Sequence, residues 1–223
     1  MQSTDFYGEI KNIVKSHPAT DNDFINRFSR GEISDDEFIR FSIEFYHFTR
    51  EWPQILSTLL VNTANENDAY ELTRILVSEL GDDKPEHRHE LLYRRYLRSI
   101  GLKPEDLVKK RQLETTGDWL NGMRNDFSSD YPVALGAEFG LENMAIPMWD
   151  KLLPGLKIMK ERKYHDMDML YFTFHREIES KHEDATQNII GIHSTDEKNQ
   201  FISGARDILN LEEKFWLGLS DKK

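Results

Sequence analysis

Apolar residues recur at spacings of three and four along nearly the whole chain, while alternating β-branched runs are scarce, so the pattern predicts an all-α protein. A first helix is expected from Asp5 to Lys15, stopping at His17-Pro18 because the residue before a proline avoids helical dihedrals. Ser34 with Glu37 three positions on forms a capping-box pattern ahead of a long helix striped by Phe38, Phe41, Ile43, Phe45 and Phe48, with a kink expected at Pro53. A third helix spans Glu66 to Leu80 and ends in the turn Gly81-Asp82-Asp83-Lys84-Pro85; a fourth runs from Pro85 to Ile100. A less regular stretch is expected up to Asp126. Helices then follow from Pro132 to Leu153, bent or interrupted at Pro147, from Asp166 to Ile190, and from the caps Ser194-Thr195-Asp196 to Leu219. The expectation is seven to eight helices in one domain over residues 1–223, since no repeat, low-complexity run or linker interrupts the pattern.

Composition narrows the chemistry. Of 223 residues, 40 are Asp or Glu and 29 are Lys or Arg, a formal net charge of −11 without a basic stripe, which disfavours nucleic acid as a partner. There is no cysteine, so disulfides, thiolate metal sites and a cysteine nucleophile are excluded. The first residues lack a signal-peptide pattern and no run approaches the ~18 apolar residues of a membrane span, so a cytoplasmic protein without membrane association is expected.

Three segments carry potential ligands. In Phe174-His175-Arg176-Glu177-Ile178-Glu179-Ser180-Lys181-His182, a turn of about 100° per residue sets Glu179 about 40° from His175 and His182 about 20° to the other side. His175, Glu179 and His182 therefore share one stripe, flanked by Phe172, Phe174, Ile178, Ala185 and Ile189, where burial without a cation would be costly. Glu79 ends one helix and His89 opens the next, so the two can meet across a helical hairpin; Glu86 reads as a first-turn acid and His87 as solvated. In Leu135-Gly136-Ala137-Glu138-Phe139-Gly140-Leu141-Glu142, Glu142 lies among apolar neighbours and Glu138 one turn earlier on nearly the same face; spacing alone does not choose between them. Three carboxylates and three imidazoles without thiolate suit iron or manganese and suffice for two ions with positions left for dioxygen.

In order and spacing these segments resemble the haem-oxygenase-like di-iron oxidases, a family related in fold to the coenzyme PQQ synthesis protein, thiaminase-type proteins and the chlamydial death-domain-associating protein. In that family a glutamate precedes a Leu-Gly turn, a histidine with a leucine-rich stretch opens the next helix, a Gly-x-Glu segment precedes a proline, and a late helix carries His-x3-Asp-x2-His. The counterparts are Glu79-Leu80-Gly81, His89-Glu90-Leu91-Leu92, Gly140-Leu141-Glu142 with Pro147, and His175-x3-Glu179-x2-His182. The resemblance covers the chain from about residue 35 to 215 and departs from the family at Glu179, where aspartate is usual. It implies a haem-oxygenase-like bundle with Glu79, His89, Glu142, His175, Glu179 and His182 as metal ligands, selecting Glu142 over Glu138 and His89 over His87.

The same resemblance implies two Fe(II)/Fe(III) ions, O2 as co-substrate, an electron donor and a small-molecule substrate, with a homodimer as one arrangement of the fold. The expected reaction is oxidation of an amino acid or amine in biosynthesis by C–C cleavage, desaturation or rearrangement. N-oxygenation is the alternative; members that carry it out tend to add a carboxylate from the long early helix, where Glu44 and Glu51 stand. Arg50, Arg176 and Lys181 are candidates to receive a substrate carboxylate, though such residues are usually exposed. Two other readings are a ferritin-like di-iron bundle using Glu86-x2-His89 and Glu179-x2-His182, disfavoured because Glu79 and Glu86 flank one short turn, and a non-catalytic helical interaction protein.

Overall fold

The computed structural model describes residues 3–63, 65–178 and 194–220. Among these, every regular element is helical: α1 (Ser3–Ser16), α2 (Asp23–Ser29), α3 (Asp35–Asn62), α4 (Glu66–Glu79), a 3₁₀ turn (Pro85–His87), α5 (His89–Ser99), α6 (Pro104–Leu107), α7 (Glu114–Phe127), α8 (Tyr131–Arg162), α9 (170–178) and α10 (Thr195–Leu219). The expected all-α class holds, with more helices than seven to eight. The additions are α2, the short α6 and α7. Where the sequence reading expected irregular chain up to Asp126, α7 buries Thr116, Trp119, Leu120, Met123 and Phe127 on one stripe. Its sequence carries Gly117 and Gly122 and its N-cap, Leu113, offers no capping side chain. The cap comes from elsewhere: the buried Glu44 on α3 accepts the Leu113 N–H at 3.0 Å.

The capping boxes at Ser34/Glu37 and Ser194/Glu197 both form. α3 continues across Pro53 as one element. α8 likewise passes Pro147 and runs on through Pro154 to Arg162, beyond the expected end at Leu153, because its buried face continues through Leu152, Gly155, Leu156 and Met159. Tertiary packing there outweighs the local penalty of the prolines. α9 begins at 170, later than Asp166, with Asp168 Oδ1 accepting the Leu170 N–H at 3.0 Å.

α8 and α10 are the central pair. A Cβ on Gly136 of α8 would collide with the carbonyl oxygen of Phe201, and one on Gly204 of α10 with that of Val133; at Gly140 it would sit 2.8 Å from Ile208 Cγ2. Glycine at these positions lets the two backbones touch. Around this pair one continuous apolar cluster runs from Phe6 to Leu219, with an aromatic centre in which Phe45 meets Tyr93, Trp119, Trp149 and Trp216. Among the described residues no helix is long and apolar enough to cross a membrane.

Two stability predictions follow from the packing. Gly204→Ala is expected to destabilise by about 1–3 kcal/mol through overpacking, whereas Gly8→Ala, with nothing within 4 Å of the added carbon, should be neutral or stabilising; urea denaturation of each variant checks both. Asp126, at the end of α7, has one buried oxygen without a partner, and burial together with the nearby Asp207 pushes its carboxyl up to about 6. The native state thus holds a proton that the unfolded chain has already released, and stability falls as pH rises through the ordinary carboxylate range to about 6. Asp126→Asn should match the wild type below that window and exceed it in melting temperature by a margin that grows across it and levels off above.

Candidate metal centre and substrate cavity

The hairpin between α4 and α5 builds the first half of the site. α4 ends at Glu79, and Gly81 follows with φ of +93°, where an added Cβ would lie 2.5 Å from Lys84 O and 2.7 Å from Arg88 N. Only glycine fits this tight reversal, and the 3₁₀ turn then delivers His89 as the first residue of α5. Two residues ten apart in sequence meet as a result: His89 Nδ1 stands 2.5 Å from Glu79 Oε2, both side chains buried. With the carboxylate accepting, Nδ1 carries the proton and Nε2 keeps its lone pair. That Nε2 is buried and has no hydrogen-bond partner.

His175 arrives from α9. Its Nδ1 donates to the carbonyl of Tyr171 one turn earlier, at 2.7 Å; a carbonyl only accepts, so this ring too has Nε2 as its lone-pair nitrogen. The His89 and His175 ring centres are 4.1 Å apart. Ligand atoms of Glu79, His89 and His175 all lie within 4.8 Å of one another, the spacing of a set that could hold a cation.

Glu142, from α8, joins Glu79 and His175 in the wall of an internal cavity of about 50 Å³. The rest of the wall is mostly aromatic and sulfur-bearing, including Phe48 and Trp52 of α3, Trp119 of α7, Met144, Met148 and Trp149 of α8, and Tyr171 of α9. The Tyr171 hydroxyl is held against Thr49 Oγ1 at 3.2 Å. Such a lining strengthens every electrostatic interaction within it and leaves room for a small organic molecule only.

Of the residues singled out from sequence, the structure thus brings Glu79, His89 and His175 into one cluster and sets Glu142 on the same cavity. Glu179, His182 and Lys181 lie outside the described residues. Glu138 is fully buried on α8, yet it is Glu142 that lines the cavity. Glu44 is engaged as the cap of α7, Glu51 pairs with Arg50 and Arg124, and Glu86 is exposed. The exposure of Glu86 takes one carboxylate from the ferritin-like ligand inventory. Arg50 bonds Glu51 at 3.0 Å and Arg176 bonds Asp150 at 2.6 Å, so neither cation enters the cavity wall.

One residue escaped the sequence reading. Glu212 of α10 is 1% exposed and lines the cavity with Glu142 and His175. Neither of its oxygens has a hydrogen bond, and burial pushes its carboxyl well above the usual range, with the Trp216 indole close enough to offset this only in part. The signal was in the pattern: Phe201, Ala205, Ile208, Leu209, Phe215, Trp216 and Leu219 form the buried stripe of α10, and position 212 falls on it.

The chain is similar to known proteins along most of its length. The chain is 26% identical over 212 residues to the 4-chloro-allylglycine synthase of Streptantibioticus cattleyicolor, an alignment covering 93% of this chain and 80% of the relative. It is 19% identical over 214 residues to the 4-aminobenzoate synthase of Chlamydia muridarum, covering 92% and 86%. A solved domain of unknown function with a haem-oxygenase-like fold, from Shewanella denitrificans, superposes with a TM-score of 0.74 at 18% identity, covering 98% of this chain and 92% of that one. The profile of the iron-containing redox enzymes matches residues 39–213, a span that takes in α4, α5, α8, α9 and most of α10. That match spans most of the chain, and the chain, with its haem-oxygenase-like fold and its buried cluster of imidazole and carboxylate, belongs to the iron-containing redox enzyme family.

Proposed function

We propose that this oxidoreductase holds two iron ions with Glu79, His89, Glu142, His175, Glu179 and His182 and uses O2 to oxidise a small amino-acid-like or amine substrate. The observation that carries the reading is the cluster of Glu79, His89 and His175, in which the buried Nε2 of His89 has no partner inside the protein. Imidazole and carboxylate donors without thiolate fit iron. The described donors fit the group in a second respect: Nδ1 of each histidine is already tied to an acceptor, which fixes ring and tautomer for ligation through Nε2. When bound, the iron pair supplies the redox chemistry that activates dioxygen.

The chain's own part is binding, orientation and exclusion of water. Trp52, Trp119 and Trp149 shape a small aromatic space beside the cluster, and Tyr171 contributes both the carbonyl that orients His175 and a ring face against it, with centres 4.0 Å apart. The relatives named as synthases of chloro-allylglycine and aminobenzoate support a small amino-acid-like substrate and a biosynthetic role. Oxidation at carbon is favoured over N-oxygenation by the fates of the two α3 carboxylates. Glu44 caps α7 and Glu51 is ion-paired, so the long early helix presents neither of them to the cavity. A reductant completes the cycle.

Anaerobic titration with ferrous ion should load close to two irons per chain, read by iron analysis after desalting. His89→Ala and Glu142→Gln should each lose at least one of them, while His87→Ala, at a half-buried position outside the cluster, should keep both. Loading limited to one iron at saturating metal in the wild type overturns the two-iron reading. Oxygen uptake by the loaded protein, followed over a panel of amino acids and amines, should rise above its unstimulated rate with a subset of them.

A further inference from the structure

Among the described residues, the acidic groups in the cavity wall are Glu79, Glu142 and Glu212, and no lysine or arginine lines it. Glu79 of α4, Glu142 of α8 and His175 of α9 are proposed metal ligands. Glu212 comes from α10 and is a residue that the family's ligand pattern does not use. A carboxylate sealed in an aromatic wall without a hydrogen bond is a costly arrangement unless it meets a cation or keeps a proton. The neighbouring Trp216 indole relieves it only in part, and its N–H makes no hydrogen bond of ordinary geometry. Four other buried acids, on α3 and α4, are each engaged by the protein: Glu37 by Arg27, Glu44 by the Leu113 amide, Asp68 by the Tyr131 hydroxyl, Glu79 by His89. Glu212 faces the cavity that Glu79, Glu142 and His175 also line.

We propose that Glu212 is the substrate-recognition residue of this cavity, accepting the ammonium group of an amine substrate whose apolar chain packs against Trp119 and Trp149. The inference rests on the oxidase reading of the same site and narrows its substrate class to molecules with a protonated amine on a short apolar chain. Methionine and aromatic side chains grip methylenes without specifying length, so the ion pair supplies orientation and discrimination. A free substrate carboxylate, in contrast, finds no cation in the described wall. Recognition by charge at one end also sets the distance between the amine and the metal ligands, because α10 is locked to α8 through Gly136 and Gly204.

The test uses the iron-loaded protein under argon and three chain-matched probes: n-pentylamine, 1-pentanol and pentanoate. Isothermal titration should show the wild type binding the amine on the order of a hundredfold more tightly than the alcohol, with pentanoate weakest. Glu212→Gln should erase that preference while leaving the affinity for the alcohol and the iron content at wild-type levels, and Glu212→Asp should restore part of it. Absence of an amine preference in the wild type overturns the proposal, and this comparison stands even if a Glu212 variant does not fold. Undiminished amine affinity in Glu212→Gln overturns it as well, because the amine would then be held elsewhere, on the metal included. Loss of iron from Glu212→Gln overturns it by making the residue a ligand. Two irons without amine selectivity would refute this inference alone, while amine selectivity lost in Glu212→Gln alongside a single iron per chain would refute only the two-iron reading.

Discussion

The backbone contact between α8 and α10 is the constraint on which the rest of the molecule depends. Gly136 and Gly204 remove the side chains that would otherwise hold these helices apart, and the carbonyls of Phe201 and Val133 occupy the space. Once that spacing is fixed, the rotation of both helices is fixed too. Glu142 on α8 and Glu212 on α10 are then presented to one cavity, with α3, α7 and α9 closing its remaining sides. An error of one ångström in this contact would be passed directly to the groups that must act on a bound molecule.

Inside that frame the dominant physical quantity is desolvation. Ionisable groups placed among tryptophan, phenylalanine and methionine are tolerated only where geometry supplies partners, and the protein supplies them selectively. His175 is steered by a carbonyl from its own helix and His89 by a carboxylate from the preceding one, two local solutions that need no long-range coordination. Both leave the same ring atom, Nε2, as the lone-pair nitrogen. A site assembled from hydrogen bonds of four and ten residues' separation is preorganised before any ion arrives, which favours binding over rearrangement.

The sequence made most of this legible wherever the causes are local. The capping box at Ser34 and the glycine turn after Glu79 depend on residues within a few positions of each other and appear as read, and the helix carrying His175 appears over its described residues, 170–178. α7 was missed because its start is secured from α3, by Glu44 across 69 residues, and because Gly117 and Gly122 weaken its intrinsic preference. The extension of α8 past Pro154 was missed for a related reason: propensity argues for a stop, while the buried face of a central helix argues for continuing. Glu212 was overlooked because an acidic residue in a strongly acidic chain reads as solvated surface, and only its phase on the apolar stripe of α10 marks it as buried.

Glu44 and Glu212 show how position converts the same functional group to different ends. Both are buried glutamates carried on long helices. The backbone amide at the start of α7 consumes the first, satisfying a donor that would otherwise be orphaned and removing that carboxylate from any role at the cavity. The second has no such amide to meet and sits in the cavity wall with neither oxygen hydrogen-bonded. A fold that spends one acid on its own architecture and leaves another exposed only to an internal space has divided stability from recognition between two helices. The reaction at the cluster and the selection of what reaches it can then change independently, the former through α4, α5, α8 and α9 and the latter through α10.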